Sequence, residues 1–77
     1  MQINVRLHGL LRWKLARETK GYLTVDLPQG ATINDLLAEL GVKILVKCSL
    51  NGEIERDFTR QLKEGDEVRF FQPTGGG

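Results

Sequence analysis

The sequence predicts an α+β domain in which one main helix covers one face of a mixed sheet of about five strands. Three observations carry that prediction. Apolar and polar residues alternate towards both ends of the chain, as half-buried strands require. The stretch ATINDLLAELG, residues 31–41, places apolar residues at helical spacing between a capping residue and a glycine. Asn51-Gly52 separates two further strand-like runs and is the strongest short hairpin signal a sequence offers.

The elements follow in order. In MQINVRLHG, Ile3, Val5 and Leu7 fall on one face and Gln2, Asn4, Arg6 and His8 on the other. GYLTVDLPQG repeats the alternation with Leu23, Val25 and Leu27 inward, then stops at Pro28 and Gly30. These two strands read as an opening hairpin. Their connection, LLRWKLARETK, is too long for a tight turn and has room for a short helical piece. In the next element Thr32 is a good N-cap, and Asp35 occupies the capping-box position at the positive end of the helix dipole. Ile33, Leu36, Leu37 and Leu40 make one apolar stripe, and Gly41 supplies a left-handed terminator. ILVKCSLNGEI returns to strand with Val46, Cys48 and Leu50 on one face, and a brief strand from Glu53 to Arg56 follows the Asn-Gly turn. DFTRQLKEGDEV is a polar connection pinned by Phe58 and Leu62, with a turn at Gly65-Asp66. EVRFF is the last strand, Val68 and Phe70 inward, Arg69 and Phe71 outward. A single helical stripe can be buried only against the sheet, which gives the β-grasp, or ubiquitin-like, architecture.

Composition narrows the function. Seventy-seven residues make one domain near the lower limit for a core without staples. One cysteine excludes an internal disulfide and a four-thiolate cluster, and the lone His8 makes a zinc site improbable. A formal net charge of +1 gives no electrostatic reason to expect nucleic acid. Neither a leader nor a long apolar run is recognisable, so no membrane association is expected and the cytoplasm is the expected compartment.

The chain closes with FFQPTGGG, three glycines in the segment least able to hold a shape. The domain is therefore expected over residues 1–73, with 74–77 a glycine tail. At this point the sequence resembles the ubiquitin-like sulfur carriers, and among them the small subunit of molybdopterin synthase. The marks are LPQGATINDLLAEL (27–40), LNGEI (50–54), LKEGDEV (62–68) and FFQPTGGG itself. The family's tail has two aromatics, two prolines, a β-branched residue, a small residue and two glycines. Phe70 and Phe71 match the aromatics, Gln72 replaces the first proline, and Pro73 keeps the second. Thr74 and Gly75 fill the next two places, leaving Gly76-Gly77 as the pair.

That resemblance implies a mechanism. A ubiquitin-activating-type adenylyltransferase would join the Gly77 carboxylate to AMP, and a sulfur donor protein would convert the acyl-adenylate to a thiocarboxylate. The large subunit of molybdopterin synthase, in a heterotetramer, would then receive the sulfur. The chain would not be catalytic alone and would need no cofactor of its own, ATP being used by the activating enzyme. Gly76 would thread the tail, and Phe71, Pro73, Thr74 and Gly75 would contact partners. Chain reach agrees, since Phe71 to Gly77 extended spans about 20 Å at roughly 3.3–3.6 Å per residue.

The other conspicuous residues have plainer readings. Phe71 either covers a sheet edge or contacts a partner. Cys48 shares parity with Val46 and Leu50 and reads as core rather than as a reactive thiol. His8 reads as solvated surface. Arg12, Lys14, Arg17 and Lys20 with Trp13 among them read as a solvated connection, with Trp13 or Leu15 tucked beneath it. Lys63, Glu64 and Asp66 read as turn solubility. Two rival functions use the same fold: a protein modifier joined through Gly77 to lysines, and a plain interaction module. Among carriers, thiamine, cysteine and tRNA thiolation pathways stay open.

Overall fold

The computed structural model describes residues 1–73 and orders them as β1 (Gln2–Leu7), α1 (Gly9–Leu15), β2 (Tyr22–Asp26), α2 (Ile33–Leu40), β3 (Lys47–Leu50), β4 (Glu53–Glu55) and β5 (Glu67–Phe71). The strands form one sheet in the order β2-β1-β5-β3-β4. Its central pair, β1 and β5, is parallel, and every other pair is antiparallel. This is the β-grasp arrangement that the sequence predicts. Ile3, Val5 and Leu7 from β1 and Val68 and Phe70 from β5 meet Ile33 and Leu36 of α2 in the core, where Cys48 also lies.

Local chemistry sets the ends of α2. Thr32 Oγ1 accepts from the Asp35 backbone N–H at 3.2 Å, and an Asp35 carboxylate oxygen accepts from the Thr32 N–H at 2.8 Å, closing the box. At the other end Gly41 takes φ 73°; its N–H reaches the Ala38 carbonyl while that of Val42 reaches the Leu37 carbonyl, a Schellman motif. The next backbone donors of α2 are satisfied from far along the chain. Ile33 N–H donates to the Arg60 carbonyl at 3.2 Å and Asn34 N–H to that of Phe58 at 2.9 Å. The polar connection after β4 therefore wraps the start of α2.

Three expectations need correction. Neither Trp13 nor Leu15 is tucked beneath the β1–β2 connection; both are exposed, and Leu11 and Ala16 are buried in their place. A helix turns about 200° in two residues, so the inward Leu11 points Trp13 outward. Glu64 and Asp66 do more than keep a turn soluble. The Glu64 carboxylate accepts from the Gln2 N–H at 3.1 Å, and Asp66 accepts from Lys63 N–H at 2.8 Å and from the Asn51 side-chain amide at 3.0 Å. Asn51 in turn accepts from the Glu67 N–H at 2.8 Å, which ties the β3–β4 turn to the start of β5. Finally, the short strand stops at Glu55, one residue before Arg56.

Candidate functional site

Strand β5 delivers the chain to residue 73 from the middle of the sheet. Its Phe70 is fully buried, and its two neighbours hold it from both sides: Leu7 of β1 lies opposite Phe70, and Lys47 of β3 opposite Phe71. The Phe70 carbonyl also accepts the His8 N–H at 3.3 Å. Because β5 is central, Phe71 does not cover a sheet edge, which removes one of its two plain readings. It is half-buried and followed by half-buried Gln72 and Pro73. Thr74, Gly75, Gly76 and Gly77 lie outside the described residues.

Phe71 lines an open groove of about 580 Å³ together with Leu45, Ile54 and Phe58, flanked by Lys47 and Arg56. Leu45 is 81% exposed and Ile54 60%. Apolar side chains gathered beside one another on a surface mark a place where another molecule is covered. Sequence reading passed over both. Ile54 was findable: a two-residue Asn-Gly turn pairs Ser49 with Ile54, on the sheet face opposite Cys48. Leu45 precedes β3, where no periodicity assigns it a side.

Across the solvent face of the sheet the register lines up Tyr22, Arg6, Arg69, Ser49 and Ile54, one residue from each strand. The Arg6 guanidinium lies 4.7 Å from the Tyr22 ring centroid, and Arg69 Nε is 3.2 Å from a Glu67 carboxylate oxygen. Two arginines thus stand side by side at the centre of the sheet, the charge of Arg69 offset by Glu67. His8, half-buried at the β1–α1 junction rather than on the open strand face, is held below its ordinary pKa by burial and by Arg6, Arg69 and Arg12. The root of the tail thus stands beside an apolar groove and near the Arg6–Arg69 pair.

Cys48 lies in the core, and burial, with Glu55 nearby, pushes its thiol up to about 11. A thiol so disposed is not the thiolate that sulfur chemistry needs. Among the described residues, no group of three or more His, Cys, Asp or Glu side chains could hold a metal ion, and no helix is long and apolar enough to cross a membrane.

The family model described as the ThiS family matches residues 14–77. Among solved structures, the thiamine biosynthesis protein ThiS from Geobacter metallireducens is 30% identical, with 100% of each chain covered and a TM-score of 0.64. The small archaeal modifier protein 1 of Haloferax volcanii is 19% identical, with 95% of this chain and 98% of that one covered and a TM-score of 0.78. The complex of subunits 1 and 2 of molybdopterin-converting factor from Helicobacter pylori offers a chain 20% identical, 100% covered on both sides, with a TM-score of 0.66. The last two likenesses establish the fold alone. A comparison with curated proteins found no match.

Proposed function

The chain belongs to the ThiS family of ubiquitin-like sulfur carriers, and we propose that its Gly77 carboxylate is the group that carries the sulfur, as the small subunit of molybdopterin synthase. The observation behind this reading is the placement of the tail's root. Residues 70–73 leave from the central strand, paired on both sides, beside a groove of exposed apolar side chains. A partner seated on that groove receives the following residues in a fixed direction.

The chemistry then runs in balanced steps. A carboxylate is a poor acyl donor, so the ubiquitin-activating-type adenylyltransferase first joins the Gly77 carboxylate oxygen to the α-phosphorus of ATP and expels pyrophosphate. Sulfide from the donor protein attacks the acyl carbon, forms the C–S bond and displaces AMP. In the large subunit the thiocarboxylate sulfur passes to a pterin precursor, and water restores the carboxylate. Glycines at 75–77 suit this path, since they have no side chain to obstruct a narrow channel. In this reading the chain is a substrate and a subunit, the catalytic groups belong to its partners, and the cytoplasm is where they meet. Support for the molybdopterin branch comes from the Phe70-Phe71 and Pro73 tail pattern and from the Helicobacter pylori complex, which pairs a chain of this fold with a second subunit.

The test is to incubate the full chain with its adenylyltransferase, magnesium-ATP and sulfide, and to map the product by intact mass and fragmentation. Replacement of one oxygen by sulfur at Gly77 is the expected result. Sulfur found on Cys48, with Gly77 still a carboxylate, overturns the carrier reading. Gly77 joined instead to lysines of other proteins in its own cells favours a modifier, the reading towards which the Haloferax volcanii likeness leans.

A further inference from the structure

The segment around α1 is accounted for neither by the tail nor by the groove at β3 and β4. Helix α1 turns Leu11 into the core and leaves Leu10, Trp13 and Lys14, three and four residues apart, on the side away from it. Leu10 is 57% exposed and Trp13 60%. The Arg17 guanidinium stacks 5.2 Å from the centroid of the Trp13 ring, a cation–π contact that holds both side chains in place. Beside the indole lies an open recess of about 510 Å³, with Leu15, Ala16 and Leu23 on its walls.

Charge gathers in the same segment. From Gly9 to Lys20 the chain carries Arg12, Lys14, Arg17 and Lys20 against one carboxylate, Glu18, which lines the recess with Lys14 and Arg17. The molecule is thus near neutral as a whole and basic along this segment. The location matters equally. Strand β1 runs parallel to β5, α1 begins two residues past the end of β1, and α1 packs against both strands. This surface therefore flanks the end of the sheet from which the residues after Phe71 leave.

We propose that α1, with Trp13 as anchor and Arg12, Lys14 and Arg17 around it, docks an acidic protein surface on the adenylyltransferase that takes the tail. This rests on the function proposed above and adds a second contact, separate from the β3–β4 groove. Tryptophan and arginine are the residue types that dominate binding energy at protein interfaces. A recess beside an exposed indole offers a socket for a partner's side chain. Two exposed apolar side chains on a seven-residue helix are too few to insert into a bilayer. The nine carboxylates beyond residue 25 oppose a long polyanion lying along the domain.

Two full-chain variants test this, Trp13→Ala and the triple change Arg12→Glu, Lys14→Glu, Arg17→Glu, each checked for native circular dichroism. Binding to the adenylyltransferase is titrated without ATP, at low and high salt, and adenylation is followed separately by pyrophosphate exchange. The expected result is affinity weakened on the order of tenfold or more by either variant, and a salt dependence that the triple variant flattens. Native affinity and native salt dependence in both variants overturn the docking proposal. The readouts separate the two claims: a native chain that binds through α1 but is never adenylated upholds the docking surface and sinks the carrier reading. Binding of the native chain to anionic phospholipid vesicles or to duplex RNA, lost in the triple variant while enzyme affinity is unchanged, overturns the proposal in favour of that ligand.

Discussion

Truncating Leu45 to alanine removes a side chain that folding has barely used. Fully burying a leucine is worth about 1.5–3 kcal/mol, and Leu45 remains 81% exposed in the folded chain. Folding has therefore recovered about one-fifth of that, about 0.3–0.6 kcal/mol, and a partner covering the groove has about 1.2–2.4 kcal/mol left to gain. Leu45→Ala should consequently leave the urea midpoint almost where it was and weaken docking roughly tenfold to fiftyfold. Calorimetric titration against the adenylyltransferase and the large subunit measures the second quantity directly. Ile33→Val supplies the contrast, because Ile33 is fully buried in the core. That change should cost about 0.5–1.5 kcal/mol of stability and leave docking intact. Unchanged affinity of Leu45→Ala for both partners would refute the assignment of the groove as a docking surface. A large stability loss in the same variant would refute the premise that the side chain is free.

Two further outcomes follow from the interior. Gly21 sits at φ +91°, and a Cβ there would lie 2.5 Å from the Leu7 carbonyl oxygen, a backbone atom that already accepts strain poorly because β1 is central. Gly21→Ala should cost on the order of 3 kcal/mol or more in urea unfolding, and near-native stability would show that the α1–β2 return can shift. The Cys48 thiol keeps its proton up to about 11 in the folded chain, against 9.0 ordinarily, so between those values the unfolded chain binds fewer protons and stability falls as pH rises. Cys48→Ala should remove that part of the alkaline slope and leave sulfur transfer intact; identical slopes in the two proteins, or lost transfer in a folded variant, would contradict the buried-thiol account.

The fold was largely legible because its signals are local. Alternation in β1 and β5, the Thr32–Asp35 box with Gly41, and the Asn51-Gly52 turn each lie within a few residues, and each appears in the structure where the pattern places it. What the sequence left open was non-local. No short window shows that β1 and β5 pair in parallel at the centre, or that Glu64 bonds the Gln2 backbone sixty-two residues away. For the same reason the acidic turn at 63–66 read as mere solubility. Trp13 was misplaced for another reason: the connection held several apolar residues, and only the phase of a two-turn helix decides which faces inward. Phe71, which lines the groove, stands out in the tail pattern, whereas the groove around Leu45 and Ile54 needs the strands assembled before it exists.

The central position of β5 also constrains how partners are used. On the function proposed above, the group acted on lies six residues beyond Phe71, about 20 Å of fully extended chain. Any enzyme that acts on it must place its reactive centre within that radius, and so must occupy the end of the sheet where Phe71 emerges. The β3–β4 groove and the α1 surface both border that end, on different sides of the same root. On the function proposed above, the adenylyltransferase and the acceptor both dock at this end and compete for one short tether. On that same function, activation and delivery alternate, with the charged carrier released from the first enzyme before the second engages its tail. Modest affinities at both surfaces suit that alternation better than one tight interface, because a long-lived complex with either enzyme would withhold the tail from the other.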